Sequence, residues 1–142
     1  MSFDWDEFRR LADELRERDD EAARRTAVSR IYYAIYWKAR NLLEAEGFIF
    51  RQFESSHLQV WEEYKLKGRT NRAIGISGKV LRDNRVSADY SAEIEDIEKL
   101  VEDSFMLAEK ILTYLNKFNQ RMKAKNERSN FSKTNSLSIR FW

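Results

Sequence analysis

The sequence predicts an all-α fold, an up-and-down bundle of four to five helices. Three observations predict it. The 142 residues include no proline and only four glycines. The chain is rich in Glu, Lys, Arg, Ala and Leu, which enter a helix at little cost in side-chain entropy. Apolar residues recur three and four apart through most of residues 1–118. That stretch reads as one domain by length. Residues 119–142 read as a basic tail, expected to be flexible.

The first helix is expected from about Asp4 to Arg18, with Asp4 as N-cap and Asp6 and Glu7 in the first turn. Trp5, Phe8, Leu11 or Ala12, and Leu15 keep helical spacing. Asp19-Asp20 marks a break and a new cap. The second helix, about Glu21 to Glu46, is the longest. Ala23, Ala27, Ile31, Ala34, Ile35, Ala39 and Leu42 form a stripe that Tyr32, Tyr33, Tyr36 and Trp37 widen. A helix apolar over so much of its circumference is buried on more than one side, at the bundle centre or in a dimer interface. Gly47 is a natural stop.

An aromatic connection, residues 48–54, leads to a third helix capped by Ser55 or Ser56 and running to about Lys65. Leu58, Trp61 and Tyr64 lie on its apolar face. Residues 67–71 read as a loop. The fourth helix is expected from about Arg72 to Ala88, weakened by Gly75 and Gly78. Asp89 or Ser91 is expected to cap a fifth, whose stripe is Ile94, Ile97, Val101, Phe105, Ala108, Leu112 and Leu115, ending near Phe118. Beyond it the apolar pattern fails, although Leu137 to Trp142 alternate apolar and polar as a strand docking on a partner would.

No cysteine is present, so thiol and disulfide chemistry are excluded. A single histidine without cysteine argues against structural zinc, and neither metal nor cofactor is expected. No apolar run reaches the length of a membrane span, and the acidic, aromatic N-terminus is unlike a signal peptide, so a cytoplasmic location is the expectation. Net charge is +2. Residues 119–142 hold six basic residues and one acid, net +5, which leaves net −3 on residues 1–118. That split argues against the whole body being a nucleic-acid surface.

The chemistry-bearing residues concentrate at 82–90. Arg85 and Asp89 are four apart and Arg82 is three before Arg85, so all three share a helical face. Spacing alone reads as an exposed ion-pair ladder worth a few tenths of a kcal/mol per pair. Tyr90 has two readings: a ring packed at the helix junction, or a hydroxyl open to a partner. Arg30, just before the tyrosines of the second helix, would stack on them or join a buried ion pair, for example with Asp89.

Three pieces in order carry a family resemblance. They are Arg30-Ile31-Tyr32-Tyr33-Ala34, then Ser56-His57 opening the third helix, then Arg85-x-x-x-Asp89-Tyr90 with Ala88 in place. Over about residues 4–118 the chain resembles an uncharacterised branch of the HEPN superfamily. The resemblance implies a small helical homodimer of a toxin–antitoxin or defence-type module. It implies binding of RNA or nucleotide near Arg82, Arg85, Tyr90 and Arg30, and partnership with an antitoxin or a minimal nucleotidyltransferase.

Active members of that superfamily cleave RNA without metal. A 2′-hydroxyl attacks the adjacent phosphate, an arginine steadies the phosphorane, and a histidine four to six residues further on moves protons. This chain departs from that pattern, because Asp89 stands roughly where the histidine belongs. An ionised carboxylate only accepts hydrogen bonds and repels the RNA backbone. His57 is the remaining candidate for the acid–base role, provided the bundle sets it beside Arg85. The expected catalytic set is therefore Arg85, His57 and Asp89. The alternative is a non-enzymatic subunit that serves a nucleotidyltransferase.

Overall fold

The structure, a computed structural model, describes residues 2–140, with side chains placed through Thr134. Five helices follow one another among the described residues: α1 (Asp6–Arg16), α2 (Glu21–Ala45), α3 (Ser56–Lys65), α4 (Arg69–Tyr90) and α5 (Ile97–Arg140). The all-α bundle is as the sequence predicts. Helix α2 is its centre, packed against all four of the others.

Local chemistry sets most boundaries. Asp20 caps α2 by accepting from the Ala23 amide at 3.0 Å. Gly47 takes φ +100° just after α2, a conformation that costs glycine little. Ser55 caps α3 through the Leu58 amide. The Asp4 carboxylate accepts from the Asp6 amide at 3.0 Å, although α1 itself starts two residues later than expected.

Several expectations are corrected. Helix α4 starts at Arg69 behind Gly68 and runs to Tyr90, so Asp89 lies within it and caps nothing. The cap of α5 is Asp96, which accepts from the Lys99 amide at 3.0 Å. Its carboxylate stands where the bare N–H groups of α5 begin, and Ile94 falls in the connection before it. Finally, α5 does not end near Phe118. Phe118 is its last buried residue, but the helix continues to Arg140, because Lys, Arg, Gln, Ala and Glu sustain helix without a core to cover. The strand reading of residues 137–142 fails for 137–140, and Phe141 and Trp142 lie outside the described residues. No helix among the described residues is long and apolar enough to cross a membrane.

The core joins α2, α3 and α5 through large side chains. Tyr32, Tyr36, Trp61, Tyr64, Ile111 and Leu115 are all almost fully buried. The Tyr64 hydroxyl donates to the Ala39 carbonyl at 2.7 Å and ties α3 to α2. The aromatic residues of α2 and α3 therefore serve packing, with their polar ends satisfied inside. The two glycines of α4 mark its closest approach to α3. A Cβ at Gly78 would enter the Trp61 indole ring, and one at Gly75 would strike the Trp61 carbonyl.

Candidate functional site

The site is built where α2, α3 and the C-terminal half of α4 meet. Helix α4 brings Arg82, Arg85 and Asp89 along one face, α2 supplies Ser29, Arg30, Tyr32, Tyr33 and Tyr36, and α3 supplies His57 in its first turn. The end of α4 is held from α2. The Arg25 guanidinium donates to the carbonyls of Ala88 and Ser91, a cation placed on the negative end of the helix.

Arg85 is only 8% exposed, which removes it from any exposed ladder. Its Nη1 lies 3.5 Å from Asp89 Oδ2, the i,i+4 pair that the spacing indicates. Its guanidinium carbon sits 5.4 Å from the ring centroids of both Tyr32 and Tyr33. Asp89 also accepts from the Ser29 hydroxyl at 3.3 Å, and Ser29 accepts from Arg30 Nη2 at 3.2 Å. Arg30 thus reaches Asp89 through Ser29 rather than as a direct ion pair. Its guanidinium also lies over Phe8 and Tyr33. Arg82 has Asp83 at 3.6 Å. The Nε atoms of Arg30, Arg82 and Arg85 are all buried without an acceptor. Leaving a buried donor unmatched costs about 1–3 kcal/mol each.

His57 reaches the same place from α3. Its ring stacks on Tyr36 at 4.1 Å, and its Nδ1 lies 2.7 Å from the Tyr32 hydroxyl. That hydroxyl also accepts from Trp61 Nε1 at 3.2 Å. Tyr32 is fully buried, and indole N–H only donates. His57 Nδ1 is then the one acceptor available to the Tyr32 proton, and neutral His57 carries its own proton on Nε2. Burial, helped by the positive charges of Arg85, Arg82 and Arg40, lowers the His57 pKa to about 4. Burial likewise pushes the Tyr32 phenol well above its usual value. Near pH 7 the cluster is donor-rich: guanidinium N–H groups and a neutral imidazole N–H, opposed chiefly by Asp89.

Of the residues singled out by sequence, Arg82, Arg85, Asp89, Arg30 and His57 come together. Tyr90 does not join them. It is 77% exposed, which excludes the reading of a ring packed at the junction. Sequence reasoning missed Arg25 and Arg40, gave Ser29 no role of its own, and read Tyr32 and Tyr36 as core or interface residues. Arg40 donates to the Tyr36 hydroxyl at 2.9 Å, and that hydroxyl donates to Ser56 at 2.9 Å. The signal was present in the spacing Ser29, Tyr32 or Tyr33, Tyr36, Arg40. Every third or fourth residue on one face of α2 is polar or has a polar tip.

No family model matches the chain, and no solved structure matches it significantly. The chain is similar to a UPF0332 protein of Thermotoga maritima, 29% identical over 98 residues, which cover 69% of this chain and 74% of the relative.

Proposed function

We propose that the Arg82–Arg85–His57 cluster binds a phosphate of RNA or of a nucleotide. On this reading the chain is a HEPN-like RNA- or nucleotide-binding protein of a toxin–antitoxin or defence-type module. The observation that carries it is the surplus of N–H donors around one half-buried imidazole. A guanidinium fork and an imidazole N–H suit phosphate oxygens in number and sign. The resemblance through Arg30-x-Tyr32-Tyr33-Ala34, Ser56-His57 and Arg85-x-x-x-Asp89-Tyr90 points to the same ligand class.

Cleavage is the weaker half of this reading. A general base must accept the 2′-hydroxyl proton, yet the open nitrogen of neutral His57 already carries one. A pKa of about 4 leaves few imidazolium ions near pH 7 to serve as the acid. Slow, metal-independent endoribonuclease activity is the most this geometry supports. A second reading, as interaction subunit of a minimal nucleotidyltransferase, is favoured by one observation. Tyr90, next to Asp89, leaves its phenol open to a partner protein.

The test is mononucleotide binding in the presence of a chelator, followed through the His57 ring protons, with RNA cleavage measured alongside. Binding by the wild type that Arg85→Ala weakens at least tenfold is the expected result. Equal binding by the two proteins defeats the reading.

A further inference from the structure

The last helix carries an ordered row of cations that the cluster on α4 does not use. Residues 110–134 hold seven Lys or Arg and a single acid, Glu127. At 3.6 residues per turn, Lys110, Lys117, Arg121, Lys125 and Arg128 fall within an arc of about 80°. Glu127, Lys123 and Lys133 lie off that arc. All five stripe residues are exposed. A rise of 1.5 Å per residue strings them along about 27 Å of axis.

Two features of this stripe bear on what it meets. On the bundle, Arg9, Arg24, Arg40, Arg51, Lys65 and Lys67 each lie within ion-pair distance of a carboxylate, and the cations without one, such as Lys38, Lys79 and Lys99, are not gathered in one row. Among the described residues none of the five stripe cations has such a partner; Lys117 only leans over the Tyr114 ring, at 5.8 Å. Moreover, Lys117, Arg121 and Lys125 stand at successive i,i+4 positions, where like charges cost a few tenths of a kcal/mol per pair. The helix bears that repulsion along a line, and a linear array of negative charge relieves it.

We propose that this stripe of α5 binds the phosphate backbone of a nucleic-acid strand, as a surface separate from the Arg82–Arg85–His57 cluster. A line of unpaired cations, with Lys117, Arg121 and Lys125 at regular four-residue steps, matches repeating phosphates without reading bases. A membrane surface fits less well. Between residues 119 and 134 only Met122, Ala124 and Phe131 are apolar, far short of the apolar face of an interfacial helix. The acidic body of a second copy fits less well too, since many of its carboxylates, such as Glu44, Glu54, Glu62, Glu98 and Glu109, already hold cations.

The test compares two full-length double variants of equal net charge, Arg121→Gln/Lys125→Gln on the stripe and Lys123→Gln/Lys133→Gln off it. Each binds a labelled single-stranded RNA oligonucleotide across a salt series, with circular dichroism to verify the helix. The stripe variant should bind several-fold more weakly at low salt. Its log–log salt slope should shrink by about 0.7 for each phosphate it no longer neutralises, while the off-stripe variant stays near wild type. Equal weakening in the two variants, or none in either, overturns the proposal. Polyglutamate bound as tightly as the RNA also overturns it, as does self-association that the stripe variant alone abolishes. Mononucleotide binding, which one phosphate at the α4 cluster suffices to support, should be the same in both variants. The cluster and the stripe therefore stand or fall by separate readouts.

Discussion

The Tyr32 hydroxyl lies 2.7 Å from His57 Nδ1 and joins the middle of α2 to the first turn of α3. The pairing fixes the tautomer of the only histidine in the chain and makes its Nε2–H the group free to meet a ligand. Tyr32→Phe would leave Trp61 Nε1 and His57 Nδ1 without their shared partner. The expected loss of stability is about 1–3 kcal/mol, the cost of stranding buried polar groups. Imidazole nitrogen shifts should report the Nε2–H form in the wild type and a tautomer mixture in the variant. The same mixture in both proteins contradicts the assignment.

The His57 titration follows from burial and from its cationic neighbours. Its folded pKa, about 4, is depressed below the usual histidine value of 6.5. The unfolded chain therefore binds the extra proton first as the pH falls. The stability contributed by keeping this imidazole neutral is fully present above about pH 6.5 and is lost progressively down to about pH 4. With one histidine, proton NMR gives an unambiguous curve. The ring signal should stay flat through neutrality and move only in the acid range. A midpoint near 6.5 would show that His57 is solvated and remote from the arginines.

Arg85→Ala removes the most influential of those charges, so the His57 midpoint should move up. Arg85→Lys keeps the charge but not the planar fork, and should leave the midpoint nearer that of the wild type while still weakening phosphate binding. If Arg85→Ala lowers the melting temperature and changes neither the titration nor nucleotide binding, Arg85 is a structural residue only.

Gly78 separates helix propensity from packing. On propensity alone, alanine in the middle of α4 should stabilise by roughly 0.8–1 kcal/mol. The added methyl, however, has to enter the Trp61 ring. Overpacking of that kind costs about 1–3 kcal/mol, so the net effect of Gly78→Ala is expected to be destabilising. Urea denaturation decides it, and a gain in stability refutes the tight α3–α4 packing.

Gly78 also shows what the sequence does not display. A mid-helix glycine reads locally as a weak point, whereas its reason is a ring on another helix. The start of α5 is similar. Asp89 and Ser91 are both good caps in isolation, but Arg25, more than 60 residues earlier, engages the Ala88 and Ser91 carbonyls where α4 ends. The helix past Phe118 escapes notice because apolar periodicity marks burial, and an exposed helix has none. What depends on near neighbours is legible: the caps at Asp20 and Ser55, the stop at Gly47, the stripe of α2 and the Arg85–Asp89 pair. The meeting of His57 with Arg85 spans 28 positions and needs the fold.

Asp89 is the carboxylate that most directly opposes phosphate at this site, and Asp89→Asn tests which role it plays. The amide keeps nearly the same shape and can still bond Ser29, but it releases Arg85 from its ion pair and removes one negative charge. If the site binds phosphate, mononucleotide affinity should rise several-fold. Stability should fall by no more than about 1 kcal/mol, because the carboxylate is partly solvated. If Asp89 instead acts as a proton acceptor in RNA cleavage, any metal-free cleavage shown by the wild type should vanish in the variant while binding is retained. Measuring both on the same preparation separates the two roles. A variant with weaker binding would mean that Asp89 holds Arg85 in the orientation that phosphate requires, so that the ion pair organises the site rather than competing with its ligand.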